Sequence, residues 1–136
     1  MRKVSVFIGF CMLVALALTL VGQEQGLQPI MQSNRTTLPS LMMNIMAKNA
    51  AGATADAEKL QQNFTQAGGI FKALKSDDAV GIAKAQATDA AAVAKAVKAN
   101  DWDGASTTAG AIQKRCGGCH MAHREQLPDK SFKFKP

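Results

Sequence analysis

Downstream of residue 27, apolar residues recur every third or fourth position and almost nowhere alternate. That period puts them on one face of a helix rather than one face of a strand. Leu27, Met31, Leu38, Met42, Ile45 and Met46 fall on one stripe at about 100° per residue, which predicts a first helix over 27–50. Pro39 removes a backbone donor and is expected to kink or break that helix near Leu38, with Gly52 marking its end. A second helix is predicted over 54–75. There Leu60, Phe64, Ala67, Phe71 and Leu74 step by four, three, four and three, a seam that faces partner helices. Gly68-Gly69 weaken its middle by about 1 kcal/mol each relative to alanine, and indicate either a bend or the close approach of a neighbour.

A third helix is expected to start at Ser76, a good N-cap, with Asp77 and Asp78 at the positive end of the helix dipole, and to run to about Ala99. Its buried face is mostly alanine with Val80, Ile82, Val93 and Val97, so it packs closely but fills little volume. A fourth helix follows the capping pair Asn100-Asp101. Trp102, Ala105, Ala109, Ile112, Cys116 and Cys119 share its inner face, and Leu127-Pro128 are expected to stop it. The tail 129–136, with Phe132 and Phe134 between lysines, alternates but is short and reads as an extended arm. Four helices with short connections predict an all-α, antiparallel four-helix bundle, in which cofactor sites are built from side chains on facing helices.

The N-terminus reads differently. Arg2-Lys3 precede an uncharged apolar run from Val4 to Val21, and Gln23-Glu24-Gln25 begin a polar stretch. This is the pattern of an export signal over 1–22, leaving residues 23–136 as a single domain outside the cytoplasm, in the periplasm. The run is also near the lower limit for crossing a bilayer, so an uncleaved anchor is the alternative. Ala15-Leu16-Ala17 competes with Gly22 as the place of cleavage. Removal of the signal takes Cys11 with it and leaves Cys116 and Cys119 as the chain's two thiols. A chain sent to an oxidising compartment with two cysteines, both in one short motif, has no disulfide framework.

The formal charge of +6 falls to +4 when Arg2 and Lys3 are removed. That excess is too small and too scattered to argue for nucleic acid, and no aromatic residues interleave with a basic stripe. Hydrolysis, group transfer and phosphate chemistry find no support. The chain has no paired carboxylates on a shared face, no nucleophile beside a base and no glycine-rich phosphate loop, so it does not read as an enzyme.

What remains is Cys116-Gly117-Gly118-Cys119-His120. C-x-x-C-H is the sequence along which haem is covalently attached in c-type cytochromes. On a helix the three side chains share a face. Two thiols there can add to the two vinyl groups of one porphyrin while the imidazole, the usual proximal ligand, reaches the iron. A dithiol redox motif would want a βαβ context, and a structural zinc site a second Cys/His pair. Neither is present, since His123 is the only other histidine.

With C-x-x-C-H-x-x-H-R (Cys116, Cys119, His120, His123 and Arg124) near the C-terminus, preceded by Asn100-Asp101-Trp102-Asp103-Gly104-Ala105, the chain resembles class II cytochromes c, that is, cytochrome c-prime and its low-spin relatives. The resemblance is specific over about the last forty residues. Class I cytochromes place the motif near the N-terminus and draw a methionine from downstream, whereas sixteen residues follow His120. The resemblance implies one haem c held by thioethers from Cys116 and Cys119, with His120 as proximal ligand. Arg124 would lie near the haem on that side, if it is not simply a solvated helix-end arginine. His123 would sit at the surface or against a propionate.

The face opposite His120 separates two functions. In low-spin members a methionine early in the first helix is the distal ligand, and Met31 falls at a comparable position, with Met42 about 16 Å further along the axis. Methionine at helical spacing is also common core filler. Arg35 follows Met31, whereas cytochrome c-prime often carries an arginine a turn before its distal position. With Met31 or another methionine bound, the protein would carry single electrons between redox partners in the periplasm. With an apolar distal face the iron would be five-coordinate and would bind nitric oxide or carbon monoxide. Members often dimerise through their first two helices, which adds a homodimer to what the resemblance implies.

Overall fold

The structure, a computed structural model, describes residues 26–135, so the expected export signal and its cleavage lie outside the described residues. Four helices follow in order: α1 over 26–46, α2 Ala50–Ala73, α3 Asp77–Lys98 and α4 Trp102–His123. A small antiparallel hairpin ends the chain, β1 Arg124–Gln126 pairing with β2 Phe132–Phe134. No helix among the described residues is long and apolar enough to cross a membrane.

Pro39 does not break α1, which is helical through it. Both Pro39 and Arg35 are exposed, so the carbonyl that loses its N–H partner can be solvated. The first boundary falls earlier than the periodicity suggests. Lys48 turns the chain with φ 52 and Asn49 caps α2, its side chain accepting from the Gly52 N–H at 3.2 Å. Gly52 therefore belongs to the first turn of α2 instead of ending α1. A Cβ there would come within 2.7 Å of the Asn44 and Asn49 side chains, which is why the position is glycine.

The other two turns follow the same logic. Lys75 (φ 57) leads into α3, where Ser76 holds the cap position without a capping bond from its hydroxyl. Asn100 (φ 59) leads into α4, where Asp101 accepts from the Gly104 N–H at 2.9 Å. A methyl group on Gly104 would collide with that carboxylate.

Successive helices run antiparallel, and their apolar faces form two clusters rather than one. The first joins the end of α1, the start of α2, the end of α3 and the start of α4, through Leu41, Leu60, Val93, Val97 and Ile112, all fully buried. The second joins the start of α1, the end of α2 and the start of α3, through Leu27, Ile30, Ala67, Phe71, Ala79 and Ala83. Buried polar residues Asn34, Thr37 and Gln86 lie between the two along α1 and α3.

The fourth helix stops at His123, short of Leu127-Pro128. The backbone turns extended at Arg124 (φ −116, ψ 122) and pairs with the returning tail. The tail is thus not a free arm. Leu127 N–H donates to the Ser131 carbonyl at 2.9 Å, Lys130 takes φ 67, and Asp129 accepts from both the Ser131 N–H (2.9 Å) and its hydroxyl (2.6 Å). The ladder sets Arg124 opposite Phe134 and Gln126 opposite Phe132, so these four side chains share one face of the hairpin.

Candidate functional site

Cys116, Cys119 and His120 lie on the last two turns of α4, beyond the first cluster. Cys116 packs against that cluster's edge, and its sulfur accepts from Gln86 Nε2 of α3 at 3.2 Å. Both cysteines are free and half-buried. Burial pushes the Cys116 thiol up, against a smaller lowering by the Gln86 contact. Burial also pushes up Cys119, helped by the neighbouring Cys116 and by the Asp78 carboxylate. The thiols are therefore protonated and quiet at neutral pH, not poised as dithiol redox groups.

His120 is exposed as a residue, although its ring is partly shielded. Desolvation, then the nearby Arg124 charge, lowers its pKa below the ordinary histidine value. The ring is thus neutral at pH 7 and keeps a lone pair for a metal. Arg124 is both the C-cap of α4 and the first residue of β1. It is exposed, and its guanidinium carbon sits 3.3 Å from the centroid of the Phe132 ring.

Met31 is half-buried and packs on the second cluster together with Ile70, Leu74, Val80 and Phe134. That places Met31, near the start of α1, in the same cluster as Phe134 of the hairpin that follows α4. Met42 packs against the other cluster, while Met43 and Met46 are 65% and 80% exposed. Of the four, Met31 is the one whose cluster also receives a side chain from the end of the chain.

The pattern did not expose His123. It is buried at 8%, neither a surface residue nor a solvated one. Its Nδ1 lies 2.9 Å from the Lys135 carbonyl and its Nε2 3.0 Å from Asp78 Oδ2 at the start of α3. Phe134 stacks on its ring at 5.5 Å and on Phe71 of α2 at 5.1 Å. His123 thus ties the end of α4, the start of α3 and the hairpin together. The signals were present but ambiguous: Asp77-Asp78 suit a helix N-terminus whatever else they do, and three tail residues alternate too briefly to identify a strand. Gln86, mid-helix among alanines, gave no sign that it would reach Cys116.

One feature of the packing would accommodate a haem. The second cluster draws its apolar side chains from α1, α2, α3 and the hairpin, with none from α4. At the level where α4 runs past it, Cys119 is half-buried, and Met31, Leu74 and Val80 stay only partly covered. A flat apolar macrocycle held along α4 would cover them. Among the described residues no three His, Cys, Asp or Glu side chains gather as a metal site. A separate groove of about 620 Å³ between α1 and α2, lined by Pro29, Ile30, Asn63 and Ile70, touches none of the motif.

Compared with protein-family descriptions, with curated proteins and with solved structures, the chain matched none of them.

Proposed function

We propose that the protein is an exported monohaem c-type cytochrome of the class II kind, carrying single electrons between periplasmic partners. The observation that carries this reading is the position of C-x-x-C-H. It occupies the last two turns of α4, beside an apolar cluster to which α4 gives no apolar side chain, His123 reaching it only by stacking on Phe134. Bound haem would supply a reversible one-electron couple at an iron whose potential follows its axial ligands.

The chain's own residues have the remaining roles. Cys116 and Cys119 would hold the macrocycle by thioethers, and once alkylated they no longer titrate. His120 would offer its neutral imidazole. Met31 would offer a thioether from the facing helix, and the apolar side chains around it would exclude water. Arg124 would keep a positive charge near His120, where it favours the electron-rich state of whatever that ring binds. No residue would act as acid, base or nucleophile.

The experiment is a pair of visible spectra on the haem-loaded protein and its Met31→Leu variant, with and without carbon monoxide. Electron transfer through His120 and Met31 predicts a low-spin wild type indifferent to carbon monoxide, and a variant that turns high-spin and binds it. A high-spin wild type that binds carbon monoxide at once would favour the gas-binding reading instead, with Met31 as cluster filler.

A further inference from the structure

The two ring nitrogens of His123 face two different elements, and both meet oxygens. Nδ1 lies 2.9 Å from the Lys135 carbonyl oxygen in the last stretch of the chain, and Nε2 lies 3.0 Å from Asp78 Oδ2 on α3. A carbonyl and a carboxylate only accept hydrogen bonds. A neutral imidazole carries one N–H and one lone pair, so it can donate to one of these oxygens and must turn its lone pair on the other. The imidazolium donates to both. The ring is buried, so little water reaches it to replace either oxygen.

The rest of the surroundings favour the same form. From α3 the facing charge is the Asp78 carboxylate, with Asp77 beside it in the chain. The hairpin presents the Phe134 ring, stacked on the imidazole within 15° of parallel, and an aromatic face attracts a cation. From α2 comes Phe71, which is uncharged, on the stack with Phe134. On α4, Cys119 also feels the Asp78 carboxylate, which helps to keep its thiol protonated and uncharged. Arg124 follows His123 in the chain and sets its guanidinium over Phe132.

We propose that the β1–β2 hairpin is a proton-held strap, docked on the bundle by a doubly protonated His123 that bridges the Lys135 carbonyl and Asp78, and loosened when that proton leaves. A histidine released from the hairpin is an ordinary one, charged only below about pH 6.5. Docking favours the charged ring, so this contribution is fully present below that pH and is lost as pH rises above it. The loss is bounded, because Asp78 is exposed and a neutral ring keeps its contact with Lys135 once the carboxylate turns into water. What loosens is a cover. Phe134 stacks on Phe71 and packs on the cluster that holds Met31, Leu74 and Val80, so a loosened hairpin opens that cluster to water. The strap is a property of the fold and is separate from the cytochrome reading.

Amide hydrogen exchange on the matured protein tests it. The Lys135 N–H donates to the His123 carbonyl at 2.8 Å and the Leu127 N–H to the Ser131 carbonyl at 2.9 Å, so both amides read the docked hairpin. Corrected for intrinsic exchange, their protection should fall by up to about fivefold between about pH 5 and 8, while Leu60 and Phe64 amides in α2 stay level. Asp78→Asn is the discriminating variant. Its side-chain amide can donate to the Nε2 lone pair while the Nδ1 N–H keeps the Lys135 carbonyl, so a neutral ring fits as well as a charged one. In that variant the hairpin should stay protected and its protection should be level with pH. Level protection in the wild type, or the same fall in Asp78→Asn, would overturn the strap. A parallel fall at Leu60 and Phe64 would also overturn it, since the bundle would then be opening as a whole.

Discussion

His123 at the end of α4 and Asp78 at the start of α3 meet at 3.0 Å, the imidazole Nε2 against a carboxylate oxygen. Through the other ring nitrogen, 2.9 Å from the Lys135 carbonyl, the same side chain ties the last strand to the bundle. The Asp78 side chain is 75% exposed, so its share is that of a screened surface pair. The buried ring and its backbone contact carry more. His123→Ala should cost roughly 1–3 kcal/mol by removing the buried ring's contact with the Lys135 carbonyl and its stacking on Phe134. Asp78→Asn should cost less than about 1 kcal/mol. Native-state hydrogen exchange should show His123→Ala opening Leu127 and Lys135 amides while the Ala53–Leu60 segment stays protected. Equal loss of protection everywhere would mean the ring stabilises the bundle as a whole and not the hairpin.

Cys116 and Cys119 should fail separately. With Cys116→Ala or Cys119→Ala one thioether remains, so haem should stay attached at lower yield, with the reduced band shifted as one vinyl group survives. With both replaced, haem should be extractable. Intact-protein mass spectrometry reads all three cases directly.

The thiols also set a pH dependence that exists only before haem attachment. Burial raises both pKa values above the usual 9.0, so the folded apoprotein favours the protonated form. That contribution to stability is fully present below pH 9.0 and is lost as pH rises through the folded values. Denaturant melts of the apoprotein should therefore weaken above pH 9, and those of the Cys116→Ala/Cys119→Ala variant should not. Iodoacetamide at pH 8 should alkylate the folded apoprotein more slowly than the unfolded chain.

How far this was legible in the sequence depended on whether a feature was local. The four helices followed from three- and four-residue spacing, and the inner face of α2 with them, because burial on one face imposes that period on Leu60, Phe64, Ala67 and Phe71 wherever the partners are. On α1 the buried stripe is Leu27, Ile30, Asn34, Thr37, Leu41 and Ile45, whose two polar members hid it from an apolar pattern that took in the exposed Met46. The C-x-x-C-H geometry was equally local. Helix ends were less so. Pro39 remained inside α1 because its side of the helix is solvated, and Gly52 moved to the next helix because Asn49 supplied a cap that spacing does not reveal. The hairpin depended on contacts across forty-five positions, between Asp78 and His123, and on Phe134 reaching Phe71. No period in the sequence encodes such pairs. The same is true of Gln86, whose meeting with Cys116 follows from the packing of α3 on α4.

Asp101 and Gly104 form the cap that starts α4, with the carboxylate accepting from the Gly104 N–H at 2.9 Å. Asp101→Ala should cost about 1 kcal/mol, and Gly104→Ala should cost at least as much, because its new methyl group displaces that carboxylate. Thermal melts of the haem-loaded forms should show both as lowered Tm with unchanged visible spectra. A changed spectrum would show that the start of α4 positions the motif, which begins fifteen residues after Asp101.

Covalent haem is tested most directly by the pyridine haemochrome of the protein, taken after extraction with acidified acetone. The prediction is a c-type spectrum retained with the polypeptide at one haem per chain, lost when Cys116 and Cys119 are both replaced. A colourless polypeptide, or haem that leaves into the acetone from the wild type, would contradict it.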